Sequence, residues 1–151
     1  MNKRHNKWEI CRAGMLLGLF LGVGGFGMAH AGNVIVGTDY VLKSKDKPGV
    51  VLVDARGASD YKKGLIPGAV VLGEKPGAVT LRDVDARILP VNKLEKILGE
   101  AGITLDNEII VYGAKGDTGP DVVFWILEYL GAGKAKVYHG GFDDWTAGKH
   151  P

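Results

Sequence analysis

Seven residues between an apolar run and an apolar helix-former stretch carry the best chance of chemistry in this chain: Gly113, Ala114, Lys115, Gly116, Asp117, Thr118 and Gly119. A glycine-rich loop that follows a strand and opens a helix turns several backbone N–H groups into one hollow, with the positive end of the helix behind it. That is an anion cradle. Lys115 and Thr118 are its side-chain donors, although Thr118 could equally cap the helix through its hydroxyl. Asp117 opposes an anion. It could serve as a weak metal ligand, but no His/Asp/Glu cluster stands near it in sequence, so no metal site is expected. Arg56 is the other candidate anion reader, since a guanidinium presents a permanently charged, bidentate fork. Its alternative role is an ion pair with Asp54 that anchors loops. The loop contains no cysteine, serine or histidine, hence no nucleophile. Its glycine spacing matches neither the dinucleotide fingerprint nor the phosphate loop. His139, beside a Gly-Gly turn, reads as structural or exposed.

The elements that must position these residues are legible on either side. Ile109–Tyr112 is a short branched and aromatic run, a buried strand. Pro120 and Asp121 suit the first turn of a helix over 120–130, where a missing N–H is harmless and a carboxylate meets the helix dipole. That helix is apolar almost all round (Val122 through Leu127, then Leu130), which predicts burial against both a sheet and a neighbour. Upstream, Val34–Val36, Val50–Val53 and Val70–Leu72 read as strands. Thr38 can cap a helix running to Lys45, and Ser59–Lys63 makes a helical turn. Asn92 with Glu95 forms a capping-box pattern for a helix over 92–99. Lys136–Tyr138 and Phe142–Ala147 supply a last strand and helix. Gly73–Pro90 reads as an irregular surface segment with at most one helical turn. Its charge run, Arg82 to Arg87, is a solvated face or else the rim of a pocket. Alternating apolar strands and helices predict an α/β fold with a central, mostly parallel sheet and helices on both faces. Ligands bind such sheets at the C-terminal ends of strands, which puts Arg56 and the 113–119 loop on one edge.

The first 31 residues are of another kind. Lys3, Arg4, Lys7 and Arg12 precede an uncharged stretch over Gly14–Met28, and Ala29-His30-Ala31 supplies small residues for cleavage. This is the pattern of a signal peptide over 1–31, leaving one domain over 32–151; an uncleaved N-terminal anchor is the other reading, and no stable membrane span is expected after cleavage. The expected location is therefore outside the cytoplasm, most simply the periplasm. The chain has 19 Lys+Arg and 17 Asp+Glu; taking away the leader's four basic residues and one acidic residue leaves 15 and 16, a formal charge of −1. The remaining chain shows no long basic stripe, so nucleic acid is not an expected partner. The one cysteine, Cys11, lies in the leader. The domain itself can form no disulfide, persulfide or thiolate metal site, and no haem or other cofactor site is visible.

Asp54-Ala55-Arg56, Asp60-Tyr61 and Gly64-Leu65-Ile66-Pro67-Gly68-Ala69 together resemble the rhodanese signature DxR…[DE][YF]xxGHIPGA, departing from it at Leu65, where histidine is usual. Val111-Tyr112 before the glycine-rich loop, and Gly140-Gly141-Phe142 with Trp145 and Gly148, resemble the family's second half. The resemblance covers about residues 34–151. It implies a rhodanese-like fold and, in that family, sulfur transfer: a cysteine opening the active loop takes sulfane sulfur from thiosulfate, holds it as a persulfide ringed by N–H groups, and yields it to cyanide or a thiol. The family loop is similar to C-x-x-G-x-[RT]-[SAG]. This chain keeps the glycine scaffold and Thr118, while Gly113 stands at the cysteine position. The expectation is an exported domain without the catalytic step, binding a small anion, a sulfur compound or an exported protein partner through Arg56 and residues 113–119. The alternative is a sulfurtransferase with residual or partner-assisted activity, and a purely structural docking role is a third possibility.

Overall fold

The computed structural model describes residues 33–150. The leader, its cleavage site and Cys11 lie outside the described residues. In chain order the elements are β1 (Ile35–Val36), α1 (Thr38–Ser44), β2 (Val50–Asp54), α2 (Ala58–Tyr61), β3 (Val70–Val71), α3 (Gly77–Thr80), α4 (Val91–Glu100), β4 (Glu108–Tyr112), α5 (Gly119–Tyr129), β5 (Ala135–Tyr138) and α6 (Gly141–Ala147).

The strands form one five-stranded sheet in the order β1-β5-β4-β2-β3, and every pairing is parallel. Parallel neighbours cannot be joined by hairpins, so the connections cross over the faces and cover them. Alternation along β4 shows the consequence. Ile109 and Val111 enter a core shared with Leu81, Leu94 and Leu98, and with Val123, Ile126 and Leu127 of α5. Ile110 and Tyr112 enter the opposite core, with Val41 of α1, Ile66 and Trp145 of α6. An uninterrupted apolar strand thus supplies both faces, and α1 and α6 lie opposite α4 and α5. The α/β class with helices on both faces is as expected, and the sheet is wholly parallel.

The register brings the functional edge together. Asp54 pairs with Tyr112 at the ends of β2 and β4, so the segments leaving those strands, toward Arg56 and toward Gly113, emerge side by side.

Two local expectations fail for identifiable reasons, and two more hold only in part: the 73–90 segment has its one helical turn but is not wholly at the surface, and α5 packs on the sheet and a neighbour but not all round. Thr38 is the first residue of α1, not its cap; Gly37 holds the cap position, and the Thr38 hydroxyl bonds the Tyr138 hydroxyl at 2.7 Å instead. Asn92 lies inside α4, because Pro90, extended at φ −53° and ψ 144°, starts the helix two residues earlier. Its ring pre-sets φ and its carbonyl accepts from Lys93 and Leu94. The 73–90 segment contains α3, an antiparallel bridge between Arg82 and Ile88, and a fully buried Leu81. Finally, α5 is not buried all round. Its principal contacts are with β4, β5 and α3, and Trp125 and Tyr129, 73% and 65% exposed, point away from that packing.

Candidate functional site

Arg56 leaves the end of β2 and turns straight back onto Asp54. Its backbone N–H and Nε donate to Asp54 Oδ1 at 2.9 and 3.0 Å, and Nη2 donates to Oδ2 at 2.6 Å. Nη2 also donates to the Gly64 carbonyl at 2.8 Å. The guanidinium lies over the Phe142 ring, 3.9 Å from its centroid. Burial works against the charge, but Asp54's hydrogen bonds and charge more than offset it, and the guanidinium pKa is raised. With Asp54 1% and Arg56 8% exposed, this buried pair ties β2 to the 64–69 bend and to α6. Tyr112 completes the anchor: its hydroxyl accepts the Ile66 N–H at 3.1 Å. Burial, with Asp54's charge adding, pushes that phenol's pKa well up.

The 113–119 loop follows the other strand end. Gly113 is buried, and its carbonyl accepts the Phe142 N–H at 2.9 Å. A Cβ at Gly113 would stand 2.7 Å from Cγ and 3.0 Å from Cδ of Pro120. The space into which a side chain at 113 would grow is filled by that ring. Gly141 explains how α6 comes so close: it has φ +60°, and a Cβ there would lie 2.5 Å from the Gly113 carbonyl oxygen. Glycine adopts that left-handed backbone without strain, and only a residue without a Cβ permits that approach.

Two of the loop's N–H groups are met by the protein's own acids. Lys115 N–H donates to Asp143 Oδ2 at 2.6 Å, and Gly119 N–H donates to Asp117 Oδ1 at 3.0 Å. Asp117 N–H closes a turn onto the Ala114 carbonyl at 3.1 Å. The Lys115 ammonium bonds Asp144 Oδ1 at 2.8 Å, and that bond and charge raise its pKa. Thr118 occupies the N-cap position in a helical conformation (φ −87°, ψ −7°) and makes no side-chain cap. Asp117 caps the helix in its place, as a carboxylate does well at a helix N-terminus. A cavity of about 240 Å³ opens beside the loop, lined by Gly116, Asp117, Thr118, Asp121, Tyr138 and His139.

The expected site residues therefore separate into two groups. Ala114, Lys115, Gly116, Asp117 and Thr118 are exposed together at the sheet's edge, with Gly119 partly and Gly113 fully buried beneath them. Arg56 stands under the same edge, with Nε and Nη2 committed to Asp54 and Gly64. His139 is exposed and lines the loop cavity. Asp143 and Asp144 were not anticipated, because 28 and 29 residues separate them from Lys115. The available signal was their place in the first turn of the helix after Gly140-Gly141, where acids are favoured. Among the described residues, no group of three His, Cys, Asp or Glu side chains is arranged to hold a metal.

A family model described as a rhodanese-like domain matches residues 38–148. A thiosulfate sulfurtransferase of Azotobacter vinelandii is 28% identical over 104 residues, which cover 69% of this chain and 38% of that protein. The chain spans about two fifths of the length of the curated relatives it matches (43% and 38% for two of them). Among solved structures, the anaerobic ergothioneine biosynthesis enzyme from Chlorobium limicola, in complex with trimethyl histidine, superposes with a TM-score of 0.66 at 22% identity. That match covers 78% of this chain and 31% of the other. A wild-type structure of EanB superposes with a TM-score of 0.60 at 23% identity. At such identities the structural likeness speaks for the fold.

Proposed function

The chain belongs to the rhodanese-like domain family, and from that premise we propose that it is an exported, non-catalytic member whose 113–119 loop edge receives a protein partner. The observation that carries the reading is the filled loop. Sulfur transfer needs an electron-rich side-chain atom that can bond to sulfur. Gly113 supplies none, and the Pro120 ring stands where its side chain would begin. Two of the loop's N–H groups, of Lys115 and Gly119, already bond Asp143 and Asp117.

The same contacts weigh between the possible ligands. An anion at the Lys115 and Gly119 N–H groups must displace the Asp143 and Asp117 carboxylates. A partner bearing lysine, arginine or other donors meets Asp117, Asp121 and Asp143, which form no ion pair among the described residues, and shares Asp144 with Lys115. Complementary charge of this kind favours encounter and register more than raw affinity. Export rests on the leader pattern over 1–31.

The test is thiosulfate-to-cyanide sulfur transfer by the 32–151 chain, beside Gly113→Cys and Gly113→Cys/Pro120→Ala. The unmodified chain is expected to release no thiocyanate. Thiocyanate release by the unmodified chain above the uncatalysed rate would overturn the non-catalytic reading and favour the sulfurtransferase named among its relatives.

A further inference from the structure

A second surface lies on the far side of Thr118 from the loop cavity. A groove of about 470 Å³ runs between α5 and the bridged 82–88 segment. Thr118, Asp121, Val122 and Trp125 form one wall, at the three- and four-residue spacings that put side chains on a common helix face. Arg82 and Ile88 form the other, and Ile126 lies between them. Trp125 is 73% and Ile88 45% exposed, although Val123, Ile126 and Leu127 of α5 are buried in the core.

Arg82 gives the groove its polarity. Its Nε is enclosed and has no hydrogen-bond acceptor. Its guanidinium takes part in none of the ion pairs formed among the described residues. Asp83, beside it, forms no ion pair with it; Asp83 Oδ1 instead accepts the N–H groups of Asp85 and Arg87 at 3.0 and 2.9 Å. Asp85 in turn pairs with Arg87 at 3.2 Å. Asp121, on the facing wall, forms no ion pair with Arg82. A guanidinium lining a groove, with an enclosed donor and no acid within pairing distance, is complementary to a carboxylate brought in from outside.

We propose that this groove docks a protein segment in which an Asp or Glu stands next to a large apolar residue. The carboxylate bonds the Arg82 fork, and the apolar side chain packs on Trp125 and Ile88. This goes beyond the loop-edge reading, because it concerns a different face of α5 and stands or falls without Lys115, Asp143 or Asp144.

The test is selection of a random heptapeptide phage library on the full 151-residue chain, then titration of synthetic selected peptides against the Trp125 indole N–H resonance. Selected peptides are expected to carry Asp or Glu within two positions of Trp, Phe, Leu or Ile, and to shift the Trp125 signal saturably. Replacing the peptide's acid by its amide should weaken binding at least tenfold. Arg82→Gln should weaken it equally and abolish the acid–amide difference, while Arg82→Lys, which keeps charge but not the fork, should fall between. Trp125→Ala should weaken both peptides. Matching thermal melts show that these variants remain folded. No enrichment, peptides without acids, or binding indifferent to Arg82→Gln would each overturn the proposal. Binding that is lost in Lys115→Ala and kept in Arg82→Gln would assign the peptide to the loop edge instead, leaving that separate reading intact.

Discussion

The resemblance to the family puts Gly113 at the nucleophile position, and the structure predicts what a side chain there does to the fold. Gly113→Ala adds one carbon. That carbon would sit 2.7 Å from Pro120 Cγ and 3.0 Å from Cδ, whereas nonbonded carbons are most stable about 3.5–4.0 Å apart. Neither side yields easily. Gly113 directly follows β4, where Ile109 through Tyr112 are fully buried, and Pro120 is itself buried at the start of α5. Overpacking of this kind costs about 1–3 kcal/mol. Stiffening of the unfolded chain returns about 0.4–1 kcal/mol. The balance is a destabilisation of about 0–2.6 kcal/mol.

Urea unfolding of the 32–151 chain, followed by circular dichroism, measures this directly, and a double-mutant cycle with Pro120→Ala identifies its source. If the clash is the cause, Gly113→Ala is nearly harmless, or stabilising, once the ring has gone, and the coupling energy is favourable by about 1–2 kcal/mol. A cycle additive within about 0.5 kcal/mol, or a Gly113→Ala variant more stable than its parent, would refute the reasoning. The result bears on chemistry too. Gly113→Cys alone has to force the same ring aside, so thiosulfate-to-cyanide transfer is expected only after Pro120 has been shortened, and only to the extent that the loop N–H groups can be freed.

Three other outcomes follow from the contacts around the loop. Arg56→Leu leaves the buried Asp54 carboxylate without its partner, so unfolding free energy should fall by about 3–5 kcal/mol; Asp54→Asn in the same background should recover part of it. Tyr112 ionises near pH 10 in the unfolded chain and higher when folded. The native state thus keeps its proton where the unfolded state has lost it, and stability is full below about pH 10 and declines as pH rises beyond it. Tyr40 and Tyr138 are raised as well, so Tyr112→Phe should shallow the alkaline slope in urea midpoints without removing it, and should lose about 1–3 kcal/mol at neutral pH because the Ile66 N–H is orphaned. Asp117→Ala/Asp143→Ala frees the N–H groups of Gly119 and Lys115. Thiosulfate titration followed by amide chemical shifts should then show saturable binding at these two N–H groups, weak or absent in the parent; equal binding by both proteins would mean that the carboxylates do not guard the loop.

The sheet was legible because Val50–Val53 and Ile109–Tyr112 are uninterrupted apolar runs, which fit a sheet covered on both faces. The C-terminal edge rule then put Arg56 and Gly113 together, and the Asp54–Tyr112 pairing does so. Arg56 itself was legible only as two alternatives, since one residue between an Asp and an Arg suits an anchor and an anion reader alike. The hydrogen bond to Gly64 and the Phe142 ring decide its contacts, and neither is visible in a local stretch. Capping was misread wherever a side chain competed with the backbone: Asn92 has the right chemistry for a cap, but Pro90 has the dihedral already set. The exposed side of α5 was missed because composition cannot say how many neighbours a helix has.

The loop shows most clearly what spacing alone cannot supply. GAKGDTG has the glycines and the helix N-terminus of an anion cradle, and such a cradle attracts negative charge whatever carries it. Here Asp117 carries it from inside the loop and Asp143 from the first turn of α6, held near by the Gly141 approach. These carboxylates sit on N–H groups that would otherwise meet a bound anion, just as the Pro120 ring fills the room beside Gly113. Restoring a cysteine would therefore address one change among several that fit one another. A domain that had merely lost its nucleophile would keep N–H groups ready for an anion, and thiosulfate would bind it without reacting. A domain whose loop has been rebuilt around its own acids would not, and it would offer those acids to a partner instead.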